Sequence, residues 1–197
     1  AYGEGSFIAA GTETIYVGQP QVEAGPFATS YIPTAAASVT RVADVVQFTG
    51  AALTALQGSA WSAIVETGAL AGITAGSTGI LGLNASQSAM YVGNATQLAS
   101  FNGSSGRTAT IGSSGNFTTG SVRSAIATDA SGRTIVANGG TVSTDGNKAA
   151  PTAVTSANLG ALNGGTFPIN GPVKSFAIYN QRLPDATLQA KSVVGAS

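Results

Sequence analysis

The spacing of the β-favouring runs constrains this chain more than any other feature. Short stretches rich in Val, Ile, Thr and Phe recur along its 197 residues, each closed off by Gly, Asn or Ser. Helical periodicity is almost missing. Alternating or fully apolar runs of this length between turn formers are the pattern of strands. They predict strands over residues 14–22, 45–49, 62–67, 78–83, 88–92, 97–102, 107–111, 121–128, 133–137, 154–159 and 171–179. At that spacing the expected fold is all-β, a two-sheet antiparallel sandwich or jelly roll rather than parallel βαβ units.

Two local signals refine this reading. In "RTIVANGGTVST", Asn138 and Gly139 sit between two β-favouring runs; both tolerate positive φ, which suits a two-residue hairpin turn. In "NQRLPDATLQAKS", Pro184 has the fixed φ of a first helical turn. Asp185 complements the positive end of a helix dipole, and Leu188 follows Pro184 by one turn. A single short C-terminal helix packed at the sandwich edge is expected. The Ser/Gly-rich "NGSSGRTATIGSSGNFTTGS" interleaves Ile111 and Phe117, which points to strands and tight turns rather than a linker.

Only 8% of residues are charged while 43% are hydrophobic and 27 are Gly, against about 25% charged in an ordinary soluble domain. Such a surface is built from Ser, Thr, Asn and Gly. No apolar run approaches the roughly 18 residues of a membrane span, so a soluble protein without membrane insertion is expected. The eight basic residues are scattered from Arg41 to Lys191, which argues against nucleic acid as a partner. The chain opens on Ala1 with no basic-then-apolar segment, and reads as a processed product or a fragment.

The chain has no His and no Cys, which removes the usual base of a Ser or Cys nucleophile and the commonest zinc ligands. A glycosidase needs only two carboxylates. The eight acids are Glu4, Glu13, Glu23, Asp44, Glu66, Asp129, Asp145 and Asp185, and no expected strand carries two. No enzyme activity and no cofactor are therefore expected. Glu66 is the acid to substitute should polysaccharide cleavage be seen.

Two stretches go beyond composition. "VGQPQVEAGPFATSYIPTAAASVTRVADVV" resembles a segment of bacteriophage tail, fibre and receptor-binding proteins, through Gln21, Glu23, Gly25, residues 28–34, Val39, Thr40, Arg41, Ala43 and Asp44. "FPINGPVKSFAIYNQRLPDATLQAKS" resembles the closing strand and helix of the concanavalin A-like (laminin G-like) lectin domains in those proteins. The matching positions are Asn170, Gly171, residues 176–179, Arg182, Leu183, Asp185, Ala186, Leu188 and Gln189. Thr187 stands where that family often carries Glu.

The resemblance implies a lead-in or connector over residues 1–33 and a concanavalin A-like β-sandwich over 34–197, with Pro33 at the joint because it cannot donate to a central ladder. It also implies a virion location, in a fibre, spike or capsid-surface appendage of a tailed phage. The partners it implies are host cell-surface carbohydrate and other virion proteins, and it implies a homo-oligomer, most simply a trimer that gains avidity from several weak sites. A purely architectural decoration without sugar binding is the alternative reading; a bacterial adhesin or glycosidase-like domain is a third.

The candidate ligand-binding residues are Trp61, Tyr91, Asn94, Asp145 and Asn147. Trp61, the only Trp, offers a stacking face, but its neighbours Ile64 and Val65 favour core packing. Tyr91 and Asn94 in "MYVGNAT" sit at a strand end, where turn chemistry is the plainer role. The "STDGNKAAP" loop, with Asp145, Asn147 and Lys148, could take a sugar, or Ca²⁺ through oxygen ligands; one carboxylate is thin support for a metal. Arg41 and Asp44 are as consistent with a surface ion pair of little energetic value as with a pair at a module joint.

Overall fold

The computed structural model describes residues 46–73, 78–84, 87–101, 106–110, 115–145, 154–162 and 166–196. All lie in the compact unit Val42–Ser197. The expected strand at 14–22, the 33/34 boundary, Arg41, Asp44, Asn147 and Lys148 lie outside the described residues.

The elements run β1 (Val46–Gln47), α1 (Gly50–Leu56), β2 (Trp61–Thr67), β3 (Thr78–Leu83), β4 (Gln87–Asn94), β5 (Gln97–Phe101), β6 (Gly106–Thr110), β7 (Val122–Asp129), β8 (Gly132–Ala137), β9 (Ser143–Asp145), β10 (Ala157–Leu159), β11 (Val173–Tyr179) and α2 (Asp185–Lys191). A six-stranded sheet has the order β1-β10-β3-β4-β5-β6 and a five-stranded one the order β11-β2-β7-β8-β9. Every pairing is antiparallel. The molecule is the all-β two-sheet sandwich that the strand spacing predicts.

Successive residues of a strand point to opposite faces, and the five-stranded sheet uses both. One face contributes Trp61, Ala63, Val65, Ile126, Ile135 and Ala137 to the inter-sheet core, where they meet Ile80, Leu81, Leu83, Met90, Val92 and Leu98 of the six-stranded sheet. The other face buries Ile64, Ala125, Ala127 and Val136 against Leu183 and Leu188. This is why β2 and β8 are buried along nearly their whole length rather than at alternate residues. It also corrects the expected position of the C-terminal helix: α2 covers the outer face of the five-stranded sheet, because Leu188, fully buried, gains roughly 1.5–3 kcal/mol there that an edge position would forgo.

Three further departures have local causes. The run at 45–49 is a strand only over Val46–Gln47. Gly50 adopts φ +57° and turns the chain into α1, a second helix whose Ala and Leu content favours it and whose Leu56 is buried. The run at 154–159 forms a ladder only from Ala157.

At Asn138–Gly139 the expected turn is present, with φ of 48° and 67° and Gly140 N–H donating to Ala137 O at 2.9 Å. However, β8 and β9 resume pairing only at Ile135↔Ser143, so the tight two-residue hairpin becomes a longer connection. The turn's groups are engaged elsewhere: Asn138 Oδ1 accepts the Arg123 N–H at 2.7 Å, and Gln189 and Ser192 bind Gly139 and Gly140.

Shorter turns share one device. Asn94 Oδ1 accepts the Thr96 N–H at 2.9 Å, Asn116 Oδ1 the Thr118 N–H at 2.8 Å, and Asp129 Oδ1 the Ser131 N–H at 2.8 Å. In each, an Asx side chain mimics a backbone turn.

Candidate functional site

The C-terminal motif that carries the lectin resemblance turns out to be a clasp. Arg182 Nε lies 3.3 Å from Asp129 Oδ2, and its Nη2 lies 2.9 Å from Asp185 Oδ1 and 3.0 Å from Thr134 Oγ1. Leu183 N–H donates to Ser62 Oγ at 2.8 Å. At the far end of α2, Gln189 Nε2 donates to Gly140 O at 2.8 Å and Ser192 Oγ accepts the Gly139 N–H at 3.0 Å. These residues fasten α2 to both ends of the β7–β8 hairpin.

The clasp also brings two acids together at Arg182, a convergence invisible in the sequence. A hydrolytic acid needs its pKa raised. Asp129 is held below the ordinary carboxylate value, first by the Ser131 hydroxyl, which outweighs the opposing effect of desolvation, and then by the Ser131 N–H, Arg182 and the Gly132 N–H. Glu66 pairs with Arg123 at 3.3 Å, its register partner on β7. These acids serve as acceptors for cations and turn groups. No group of three or more His, Cys, Asp or Glu that could hold a metal occurs among the described residues.

The four candidate residues that the structure describes, Trp61, Tyr91, Asn94 and Asp145, do not form one site. Trp61 is 1% exposed in the inter-sheet core, so neither ring face is open to a ligand; a large ring at the start of a fully paired strand fills the core. Asp145 ends β9 in register with Arg133, at the same end of the sandwich as Trp61, whose register partner is Thr128. Asn94 lies at the opposite end. There the β4–β5 turn is tied through Ala95 O to Phe117 N–H, and Phe117 O to Leu70 N–H just beyond β2.

Tyr91 and Asn94 do belong together. Tyr91 is half-buried, on the face of β4 opposite Met90 and Val92, which point into the core. It stands in a cross-strand row Gly79–Tyr91–Ala99–Thr108. A Cβ on Gly93 would lie 3.4 Å from the Cβ atoms of both Ala99 and Gln97; Ala99 is buried, so Gly93 and the half-buried Gln97 are what border the ring at the surface. Asn94 Nδ2 donates to Gln97 Oε1 at 2.7 Å, which fixes a pair of amides at its margin.

A half-buried aromatic ring with a fixed pair of amides at its margin can stack on an apolar ligand face and bond its hydroxyls. Sequence reasoning missed Gly79, Gly93, Gln97 and Ala99 because only strand register assembles them. A glycine inside a strand, Gly79 in β3 and Gly93 in β4, is the signal that could have pointed there.

No protein-family model and no curated protein matches the sequence, but solved structures share its fold. The chain is similar to the CBM40 of a Ruminococcus gnavus IT-sialidase bound to alpha2,3 sialyllactose, at 18% identity over 72% of this chain and 86% of that one, TM-score 0.52. It is similar to a heptameric SAP-like pentraxin from Limulus polyphemus, at 14% identity over 68% and 70%, TM-score 0.50. It also resembles the NanB sialidase from Streptococcus pneumoniae, at 15% identity over 74% of this chain but 25% of that one, TM-score 0.52. The fold is thus a jelly-roll β-sandwich.

Proposed function

We propose that this sandwich is a non-catalytic carbohydrate-recognition module, and that it is carried on the virion of a tailed phage as part of a fibre, spike or capsid-surface appendage that binds host cell-surface glycan. The observation that carries the carbohydrate reading is the half-buried Tyr91 on the same strand face as Gly93, with the Asn94–Gln97 amide pair at its margin. The fold supports it, since a similar structure, the CBM40 of the Ruminococcus gnavus IT-sialidase, is bound to alpha2,3 sialyllactose. The virion reading rests on the sequence motifs alone, from Gln21 to Asp44 and from Asn170 to Gln189. Weak single sites multiplied by a homo-oligomer, in the simplest case a trimer, would supply avidity.

A glycan array probed with the whole chain tests the carbohydrate reading: wild type is expected to bind, and Tyr91→Ala to lose that binding while staying folded. Silence from a folded, correctly oligomerised sample would instead favour the architectural reading, in which the sandwich contacts neighbouring virion proteins. Exposed Val46 on edge strand β1, and Val193 and Val194 beyond α2, are the observation in its favour.

A further inference from the structure

An Asn–Gly peptide unit is prone to spontaneous rearrangement, because glycine has no side chain to shield its nitrogen or restrict its backbone. The Gly nitrogen attacks the Asn carboxamide carbon, a new N–Cγ bond closes a succinimide ring, and the Cγ–Nδ2 bond breaks. The proton of the Gly nitrogen leaves with Nδ2 as ammonia, and water then opens the ring to aspartate or isoaspartate. Ring closure needs a Gly N–H that can lose its proton and a carboxamide free to swing over the peptide that follows it.

At Asn138–Gly139 the fold withholds both. Gly139 N–H donates to Ser192 Oγ at 3.0 Å. Ser192 is fully buried and commits its own hydroxyl proton to Gln189 O at 2.8 Å, so its lone pairs face the Gly139 nitrogen and oppose loss of that proton. The Asn138 carboxamide is turned away, toward β7 and the residue before it: Oδ1 accepts the Arg123 N–H at 2.7 Å and Nδ2 donates to Ser121 O at 3.3 Å. Asn138 N–H donates to Arg123 O at 3.1 Å, which holds the main chain of the same residue in place.

The two sets of locks differ in origin. Those on Asn138 come from β7, a central strand of its sheet. Those on Gly139 come from the end of α2 and the residues just past it. Gln189 Nε2 binds the carbonyl oxygens of Gly139 and Gly140, Ser192 takes the N–H, and a Cβ on Gly139 would lie 2.9 Å from Val193 Cγ2. Helix ends open locally at lower free energy than a sheet core, and a helix of seven residues has little cooperativity to resist it. Lifting the last turn of α2 frees the Gly139 nitrogen without unfolding the sandwich.

Conversion then cannot be undone by refolding. Aspartate at position 138 sets a carboxylate oxygen against Ser121 O in place of the Nδ2 donor, and isoaspartate adds a methylene to the main chain of the turn. Either product distorts the surface on which Gln189 and Ser192 seat. We infer that Asn138 is a modification site, a spontaneous deamidation point that the C-terminal turn of α2 keeps latent, so that each lifting of that turn can be recorded permanently in the chain.

The test is ageing of the whole chain at mildly alkaline pH, with conversion at Asn138 followed by peptide mapping and isoaspartate detection. Wild type, Ser192→Ala, Gln189→Ala and Leu98→Ala are compared with wild type unfolded in guanidinium chloride. Native wild type is expected to convert roughly a hundredfold more slowly than the unfolded chain. Ser192→Ala is expected to speed conversion roughly tenfold, the weight of one hydrogen bond in the opening equilibrium, and Gln189→Ala to act in the same direction. Leu98→Ala weakens the inter-sheet core without touching α2 and is expected to leave Asn138 slow. Conversion in native wild type as fast as in the unfolded chain, or Ser192→Ala as slow as wild type, overturns the latch. So does Leu98→Ala speeding conversion as much as Ser192→Ala, since global unfolding would then be the route.

Discussion

Gln189 of α2 donates its side-chain amide to the carbonyl oxygens of Gly139 and Gly140, at 3.3 and 2.8 Å. A helix of seven residues is marginal by itself. Here it is held at its C-terminal end by Gln189 and Ser192, at its N-terminal end by Arg182, and between them by Leu188.

Removing the central anchor should cost most. Leu188→Ala leaves a cavity over Ile64, Ala125 and Val136, and about 2–5 kcal/mol of stability is expected to be lost, read from urea unfolding. A loss below about 1 kcal/mol would show that α2 is dispensable to the sandwich.

Asp129 makes the clasp sensitive to acid. Its folded-state pKa is lowered, so the ionised carboxylate stabilises the fold above the unfolded value of about 3.9 and that contribution is lost as pH falls through the lower folded value. Asp129→Asn is therefore expected to be less stable than wild type at pH 7, by about 1 kcal/mol or less for a partly exposed pair, and the gap should shrink below pH 4. A gap that widens on acidification would contradict the assignment.

Asn138 combines a left-handed backbone with a side-chain bond to the Arg123 N–H. Asn138→Ala loses both and is expected to cost about 2 kcal/mol. Asn138→Gly keeps the φ and should cost roughly half as much. Equal losses in thermal melts would assign the whole effect to the hydrogen bond.

Trp61 and Tyr91 should separate stability from recognition. Trp61→Ala is expected to lose about 3–5 kcal/mol as a core deletion, with the glycan preference of the remaining folded protein unchanged. Tyr91→Ala should do the reverse, losing binding with a small change in Tm. A Trp61 variant that stays stable but stops binding would restore the stacking role.

Much of the sheet framework was legible because strand alternation is written locally: β3 falls on Thr78–Leu83 as read, and β2, β4, β5, β7 and β8 lie within two residues of expectation. Gly50–Leu56 was missed because seven residues carry too little periodicity to announce a helix. The tight β7–β8 turn at Ala130–Ser131 shows only as an Asp two residues before a Ser, a weaker sign than Asn-Gly. The candidate site was half legible. Tyr91 and Asn94 stood out by residue type, whereas Gln97 joins them only through strand register. Trp61 misled because a residue type suited to sugar stacking is equally suited to filling a core.

The blanket that α2 lays over one sheet gives the molecule two unlike flanks. One is sealed, and any change there is felt by the whole structure. On the other, Tyr91, Asn94 and Gln97 stand partly or wholly in solvent on a foundation they do little to support, so selection could redraw that relief many times while the masonry beneath stays put.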